Sequence, residues 1–168
     1  MKTDMKLTVH RLTACGIIAA IYAIVTVATS SFAYGPIQFR IAEALGVLPF
    51  FAPWTTWGVT LGCLLANLFS TVSALDIVIG TLATLIACLL TARCKNRFLA
   101  PLPPVIVNAV MIGAMIAWVS TPDTFWRSFV LFGLEVGAGE LAVMYTLGLA
   151  MLVIFRRQGL DERLRAIN

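Results

Sequence analysis

The feature that most restricts the fold of this chain is an uncharged, apolar run from Leu12 to Ala33. A helix of that length crosses the roughly 30 Å hydrocarbon core of a bilayer. Charged residues make up 12% of the chain and hydrophobic residues 60%, whereas soluble domains carry about 25% charged residues. So few polar side chains suit a lipid-facing surface. The sequence predicts an all-α integral membrane protein whose first run is kept as a helix and not removed as a signal peptide.

Prolines and charged residues divide the chain into six apolar segments, which we interpret as one membrane domain covering residues 1–168. The predicted spans are 8–30, 40–52, 54–71, 76–92, 102–120 and 125–155. The second segment is short, because about 12 residues separate Arg40 from Pro53 and a crossing helix needs about 20.

The positions of the cations indicate whether this short segment crosses. With six crossings and a cytoplasmic N-terminus, ten of the twelve Lys and Arg residues lie in the cytoplasm. If the segment does not cross, four remain there. Cytoplasmic loops carry an excess of Lys and Arg, so the sequence predicts six transmembrane helices with both termini in the cytoplasm. The net charge of +4 then reflects anchoring at the membrane, and we expect no binding to nucleic acid.

Several charged or amide side chains fall within or at the edges of the apolar segments. An unpaired charge there costs at least about 2.5–3.5 kcal/mol, so each needs a partner or a wet cavity. The residues are Arg40, Glu43, Asn67, Asp76, Asn108, Glu135 and Glu140.

In the six-span topology most of these residues lie in the outer half of the membrane, together with Tyr34 and Gln38. We interpret the set as a ligand pocket open to the exterior. Structural roles stay open for single residues. Asn67 and Asn108 suit hydrogen bonds between helices, Asp76 suits a helix cap, and Arg40 with Glu43 suits an internal salt bridge at helical spacing.

The sequence contains no catalytic constellation. Its single histidine, His10, precedes the first span, so we expect no histidine metal site or Ser–His pair in the bundle. No Gly-x-x-x-x-Gly-Lys-Ser/Thr loop occurs, which argues against ATP hydrolysis by this chain. We expect a protein that is not an enzyme and holds no cofactor or metal of its own.

The first helix carries small residues four apart, a spacing that lets another helix approach closely. They are Cys15, Gly16, Ala19, Ala20 and Ala23. Two interpretations stay open: packing within the same bundle, and docking of a partner subunit.

The combined motifs resemble the QueT family over about residues 12–155. They comprise the stretch from Tyr34 to Leu45, Asn67, Asp76 followed by the run from Gly80 to Thr84, Asn108, and Gly139 with Glu140. That family is regarded as a group of substrate-binding S components of energy-coupling factor transporters for queuosine precursors.

The resemblance implies a six-helix S component that captures its ligand outside and docks on a T component bearing two ATPase subunits, which use the ATP. It also implies docking through the small-residue stripe of the first helix, where a clean Ala-xxx-Ala occurs at Ala19 and Ala23. The implied ligand is a 7-deazaguanine, such as the aminomethyl precursor of queuine, or queuine itself.

Pocket residues are then hypothesised to match that ligand. Glu43 or Glu140 suits its adjacent N–H donors, and Asn67, Gln38 or Asn108 suits its carbonyl oxygen. Spare acidity at Asp76 or Glu135 suits an aminomethyl cation, and Tyr34 offers a stacking face. The alternative is a self-sufficient transporter in which Glu43, Asp76 or Glu140 relays protons. A third possibility is a small membrane enzyme or a purely structural bundle.

Overall fold

The computed structural model describes residues 2–30, 39–70 and 73–167, and every regular element in those ranges is helical. This confirms the predicted all-α class for the described part of the chain. The helices are α1 (Lys2–Ala28), α2 (Thr55–Asn67), α3 (Leu75–Thr91), α4 (Leu102–Ser120), α5 (Phe125–Val143), α6 (Leu149–Arg157) and α7 (Leu160–Ala166). Two 3₁₀ helices (Ile41–Phe50 and Pro122–Thr124) and a π-helical turn (Met144–Gly148) complete the elements.

Three of the described segments are long and apolar enough to cross a membrane: Val9–Ala28, Leu102–Ser120 and the continuous Pro122–Arg157. Two shorter apolar helices, Ile41–Phe50 and Leu75–Thr91, lie between them along the chain. Several apolar helices of this kind are the mark of a multi-pass membrane protein. The count of six crossings stays a prediction.

The short second segment forms a 3₁₀ helix and not an α-helix. A 3₁₀ helix rises about 2.0 Å per residue against about 1.5 Å for an α-helix. The ten residues Ile41–Phe50 therefore extend about 20 Å, whereas ten residues of α-helix would extend about 15 Å. Seven of the ten are buried, so this element lies inside the bundle.

Small residues bring α1 and α2 into close contact. A Cβ atom added at Gly58 would lie 2.9 Å from the Cα of Cys15, and one at Gly62 would lie 2.9 Å from the carbonyl oxygen of Ala19. Nothing larger than glycine therefore fits on this face of α2 without a shift. The two glycines are four residues apart, the spacing of close helix pairs.

Small residues also bring α4 and α5 into close contact. A Cβ added at Gly113 would lie 2.6 Å from the Cα of Gly133, and one at Gly137 would lie 3.2 Å from the Cβ of Ala109. Gly133 and Gly137 of this glycine-rich stretch of α5 therefore allow the close approach of α4.

The helices of the described bundle begin and end at two opposite sides, which we call the polar end and the basic end. At the polar end, the start of the long 3₁₀ helix meets the end of α2 and the start of α3 through Arg40, Asn67 and Asp76. At the basic end, the Arg11 side chain donates a hydrogen bond to the carbonyl oxygen of Ile167, and α7 lies against the start of α2. The successive long elements thus run in alternating directions between the two ends.

Candidate functional site

The polar end is organised around the buried guanidinium of Arg40, which immediately precedes the long 3₁₀ helix. The residue is 3% exposed. Its Nη2 atom donates hydrogen bonds to Asn67 Oδ1 and Asp76 Oδ2, each at 3.0 Å. One cation therefore joins the 3₁₀ helix, α2 and α3.

Asp76 is held by more than this ion pair. The Ser70 hydroxyl donates a hydrogen bond of 2.7 Å to Asp76 Oδ2, and Asn67 Nδ2 donates one of 3.0 Å to the Asp76 carbonyl oxygen. A Cβ added at Gly80 would lie 2.7 Å from Asp76 Oδ1 and 2.8 Å from Asn67 Nδ2. Glycine is therefore required at position 80 to leave room for this pair.

Glu43 lies one turn after Arg40 and faces α1. Its Oε1 atom accepts a hydrogen bond from the hydroxyl of Tyr22 and lies 4.0 Å from Arg40 Nη1. The predicted contact between Arg40 and Glu43 is confirmed, but Asp76 is the nearer carboxylate, at 3.0 Å. We call Tyr22, Arg40, Glu43, Asn67, Ser70 and Asp76 the polar cluster.

A second buried pair joins α4 to α5. Asn108 Nδ2 donates a hydrogen bond of 2.9 Å to Glu140 Oε1, and Glu140 is 3% exposed. The helix α5 also contacts the long 3₁₀ helix that carries Glu43, so we group this pair with the polar cluster and call the two together the electrostatic unit. The predicted hydrogen bond between helices at Asn108 is confirmed.

Three buried carboxylate oxygens have no hydrogen-bond partner within the described residues: Asp76 Oδ1, Glu135 Oε2 and Glu140 Oε2. Buried polar atoms in native proteins are nearly always partnered. Two of these oxygens belong to the electrostatic unit, which therefore retains acceptor capacity for a further donor.

Two predicted pocket residues, Tyr34 and Gln38, lie outside the described residues, so their part in the site and the predicted opening beside them stay predictions. Glu135 is half-buried on α5, and within the described ranges no hydrogen bond or ion pair joins it to the polar cluster. Of the predicted residues, the structure brings Arg40, Glu43, Asn67 and Asp76 into one cluster and pairs Asn108 with Glu140 on the neighbouring helices.

Sequence reasoning missed three contributors: Tyr22, Ser70 and Cys63. Tyr22 is fully buried in an apolar helix. A buried tyrosine hydroxyl needs a hydrogen-bond acceptor, so its position in the first apolar run could have predicted a polar partner. Cys63 accepts hydrogen bonds from Asn67 Nδ2 at 3.4 Å and from the Thr84 hydroxyl at 3.1 Å. Nothing in its sequence context distinguishes this thiol from a small apolar residue.

The small-residue stripe of α1 divides between two faces. Cys15 and Ala19 pack on the glycines of α2, which confirms the interpretation of packing within the bundle for these two. Gly16 and Ala20 are exposed, a Cβ added at Gly16 would meet nothing within 4 Å, and Ala23 is half-buried. The docking role of the exposed positions stays a prediction.

Taken together, the electrostatic unit offers one guanidinium, two amides and three carboxylates. Donors and acceptors of these kinds can hold a small polar solute by hydrogen bonds, and an excess of carboxylates suits a ligand rich in N–H donors. The apolar helices and this buried unit define the class of protein as a multi-pass membrane protein of the transport type.

Comparison with known proteins gives the family. The family described as QueT transporter matches residues 12–157, and the chain belongs to it. A similar protein is the "Queuosine precursor transporter QueT" of Lactococcus lactis subsp. cremoris (strain MG1363), which is 38% identical over 84 residues. That alignment covers 49% of this chain and 49% of the relative, so the chain matches about half the length of its relative. No solved structure matches.

Removing the charge of Asp76 should destabilise the fold strongly. Asp76→Asn leaves the buried Arg40 without its nearest carboxylate, and breaking a buried ion pair in this way costs about 3–5 kcal/mol. We expect a lower midpoint of thermal unfolding for the detergent-solubilised chain. Asp123→Asn, an exposed position with the same change of charge, is the control and should unfold as the wild type does. Equal midpoints for both variants would contradict a structural role for the ion pair.

Proposed function

We propose that this chain is the substrate-binding subunit of an ATP-driven importer of the energy-coupling factor type, and that it captures a queuosine precursor from outside the cell. The observation that carries the proposal is the electrostatic unit, which extends from the polar end into the bundle, in a chain that belongs to the QueT transporter family. Its buried carboxylates exceed its single cation, and Glu140 keeps a buried oxygen without a partner in the described residues.

Six crossings with both termini in the cytoplasm are part of this proposal. The cations of the loop after α3, of α6 and of α7 lie at the basic end, and so does Arg11. Cytoplasmic segments are enriched in Lys and Arg, so the basic end is assigned to the cytoplasm and the polar end to the exterior. At about 20 Å the long 3₁₀ helix is shorter than the roughly 30 Å hydrocarbon core, so the second crossing rests on the positions of the cations.

This orientation is testable by cysteine labelling. In a variant without native cysteines, Asp123→Cys should react with a membrane-impermeant maleimide on intact cells, because position 123 lies at the polar end. Arg97→Cys should react only after the cells are permeabilised. Both positions are exposed, so burial does not explain a difference. The reverse pattern would overturn the orientation, and labelling of both positions on intact cells would overturn the six-span topology.

The ligand class follows from the donor and acceptor chemistry. A guanine-like edge has adjacent N–H donors that suit the carboxylate of Glu140, and Asn108 beside it suits a carbonyl oxygen. The name of the similar protein, a queuosine precursor transporter, supports a 7-deazaguanine. An aminomethyl group would add a cation, for which Asp76 and Glu135 supply carboxylate oxygens. Tyr34 and Gln38 are proposed to contribute from the segment before Arg40.

The energy source is assigned to partner subunits, because the sequence lacks a phosphate-binding loop. We propose a T component and two ATPase subunits as partners. Of the stripe on α1, the exposed Gly16 and Ala20 are the positions left for docking, since Cys15 and Ala19 already pack on α2.

Ligand recovery tests the proposal. Mass spectrometry of the detergent-purified chain should detect a deazapurine near one molecule per protein, with no partner present. Glu140→Gln should weaken binding of added 7-aminomethyl-7-deazaguanine by roughly 10- to 100-fold, because a hydrogen bond to a charged group contributes about 1.5–3 kcal/mol.

The matched control is Glu162→Gln, which removes the same charge at an exposed position of the basic end and should bind as the wild type does. Recovery of an unrelated vitamin would overturn the assignment of a queuosine precursor as the substrate. It would leave the assignment of the chain as a substrate-binding subunit unchanged. Unchanged affinity in Glu140→Gln would overturn the assignment of the site.

The buried carboxylates favour one second candidate, a self-sufficient transporter coupled to protons. Glu43 and Glu140 are both buried, and buried acids within membrane-spanning segments mark proton relays in transporters. In that case uptake would need a proton gradient and no ATPase.

A further inference from the structure

A second polar feature lies at the basic end, outside the unit assigned to the queuosine precursor. The loop that follows α3 and the helices α6 and α7 border an open cavity of about 840 Å³. Four cations line it: Lys95 and Arg97 from the loop, Arg156 from α6 and Arg165 from α7. Its apolar lining comes from Phe50, Phe51 and Leu152.

The charges of the four cations are not cancelled by ion pairs in the described part of the chain. Within the described residues, no ion pair of 4.0 Å or less involves any of them, and the Arg97 guanidinium lies 4.8 Å from the centre of the Phe98 ring. Two acids, Asp161 and Glu162, also line the cavity and leave it with a net charge of +2 (4 − 2). All four cations are exposed, and the excess of positive charge around one cavity favours an anionic ligand.

The frame around the cavity is fixed by hydrogen bonds. On one side, the Trp54 indole donates to the Leu164 carbonyl oxygen at 3.4 Å, which holds α7 against the bundle. On the other, the Thr91 hydroxyl donates to the Ala100 carbonyl oxygen at 3.2 Å and the Tyr145 hydroxyl donates to that of Phe98 at 3.1 Å. The cations therefore extend from anchored segments.

We propose that this cavity binds a phosphate group, and that the phosphate belongs to the headgroup of an anionic phospholipid. Arginine and lysine are the usual phosphate ligands, arginine through two parallel hydrogen bonds. Basic pockets at the cytoplasmic face of membrane proteins bind such headgroups. The site goes beyond the proposed transport function, and it rests on that proposal only for the assignment of the basic end to the cytoplasmic leaflet.

An apolar groove beside the same loop favours a lipid over a soluble phosphate. The groove of about 440 Å³ is lined by Leu90, Cys94, Leu99, Leu102 and Ile106 among others, with Arg93 as its cation. Arg93 and Cys94 of the groove are followed in sequence directly by Lys95, Asn96 and Arg97 of the cavity. One loop thus offers apolar surface to an acyl chain and cations to a phosphate.

Native mass spectrometry of the detergent-purified full chain, titrated with phosphatidylglycerol, tests the site. We expect bound phosphatidylglycerol, and little phosphatidylcholine at the same concentration. Arg156→Gln with Arg165→Gln should weaken phosphatidylglycerol binding by about tenfold or more, since each cation near a headgroup contributes about 1 kcal/mol.

The control is Arg157→Gln with Arg163→Gln, which removes two charges from the same two helices at residues that do not line the cavity. Its affinity should change by less than about twofold. If the cavity variant does not fold, Lys95→Gln with Arg97→Gln in the exposed loop replaces it, with the same expected loss.

Inorganic phosphate and glycerol 3-phosphate are tested in parallel as soluble sources of a phosphate group. If either binds the chain as tightly as phosphatidylglycerol and displaces it, the phosphate site stands and its lipid source is overturned. Equal weakening in cavity and control variants would show diffuse attraction and overturn the site, as would no weakening in the cavity variants or equal binding of phosphatidylcholine. None of these readouts involves the deazaguanine, so failure here is separable from failure of the proposed function.

Discussion

The arrangement of the polar end depends on burying the Arg40 guanidinium, which is 3% exposed. A lone cation so placed is expensive to desolvate, and only close partners offset that cost. Asn67 and Asp76 supply them at 3.0 Å each. This requirement fixes the start of the 3₁₀ helix against the end of α2 and the start of α3, and it explains why Gly80 leaves space beside the carboxylate.

Because Asp76 neutralises Arg40, the other two carboxylates, Glu43 and Glu140, are not needed to offset its charge. Glu43 is held by the Tyr22 hydroxyl, and Glu140 is held through one oxygen by Asn108. The other oxygen of Glu140 is buried without a partner in the described residues. A structural salt-bridge network would leave no such acceptor, whereas a site for a ligand with several N–H donors would.

Much of this site was predictable from the sequence, because charges within apolar segments are costly and mark positions that need partners. That reasoning found Arg40, Glu43, Asp76 and Glu140, but not which of them pair. Asp76 is 36 residues from Arg40, and spacing along one helix favoured Glu43 instead. The 3₁₀ geometry of the second segment was also not predicted, because a short apolar run is compatible with either type of helix. The stripe on α1 was found, but its division between two faces depends on Gly58 and Gly62 of α2, whose role was not recognised.

The central claim is that this chain binds its solute and leaves the driving force to partner subunits. Uptake of radiolabelled 7-aminomethyl-7-deazaguanine into proteoliposomes tests it most directly. With the chain alone, we predict binding and no accumulation under an imposed proton gradient, and with the T component and both ATPase subunits added, accumulation that requires ATP. Accumulation driven by the proton gradient in liposomes that contain this chain alone would contradict the account.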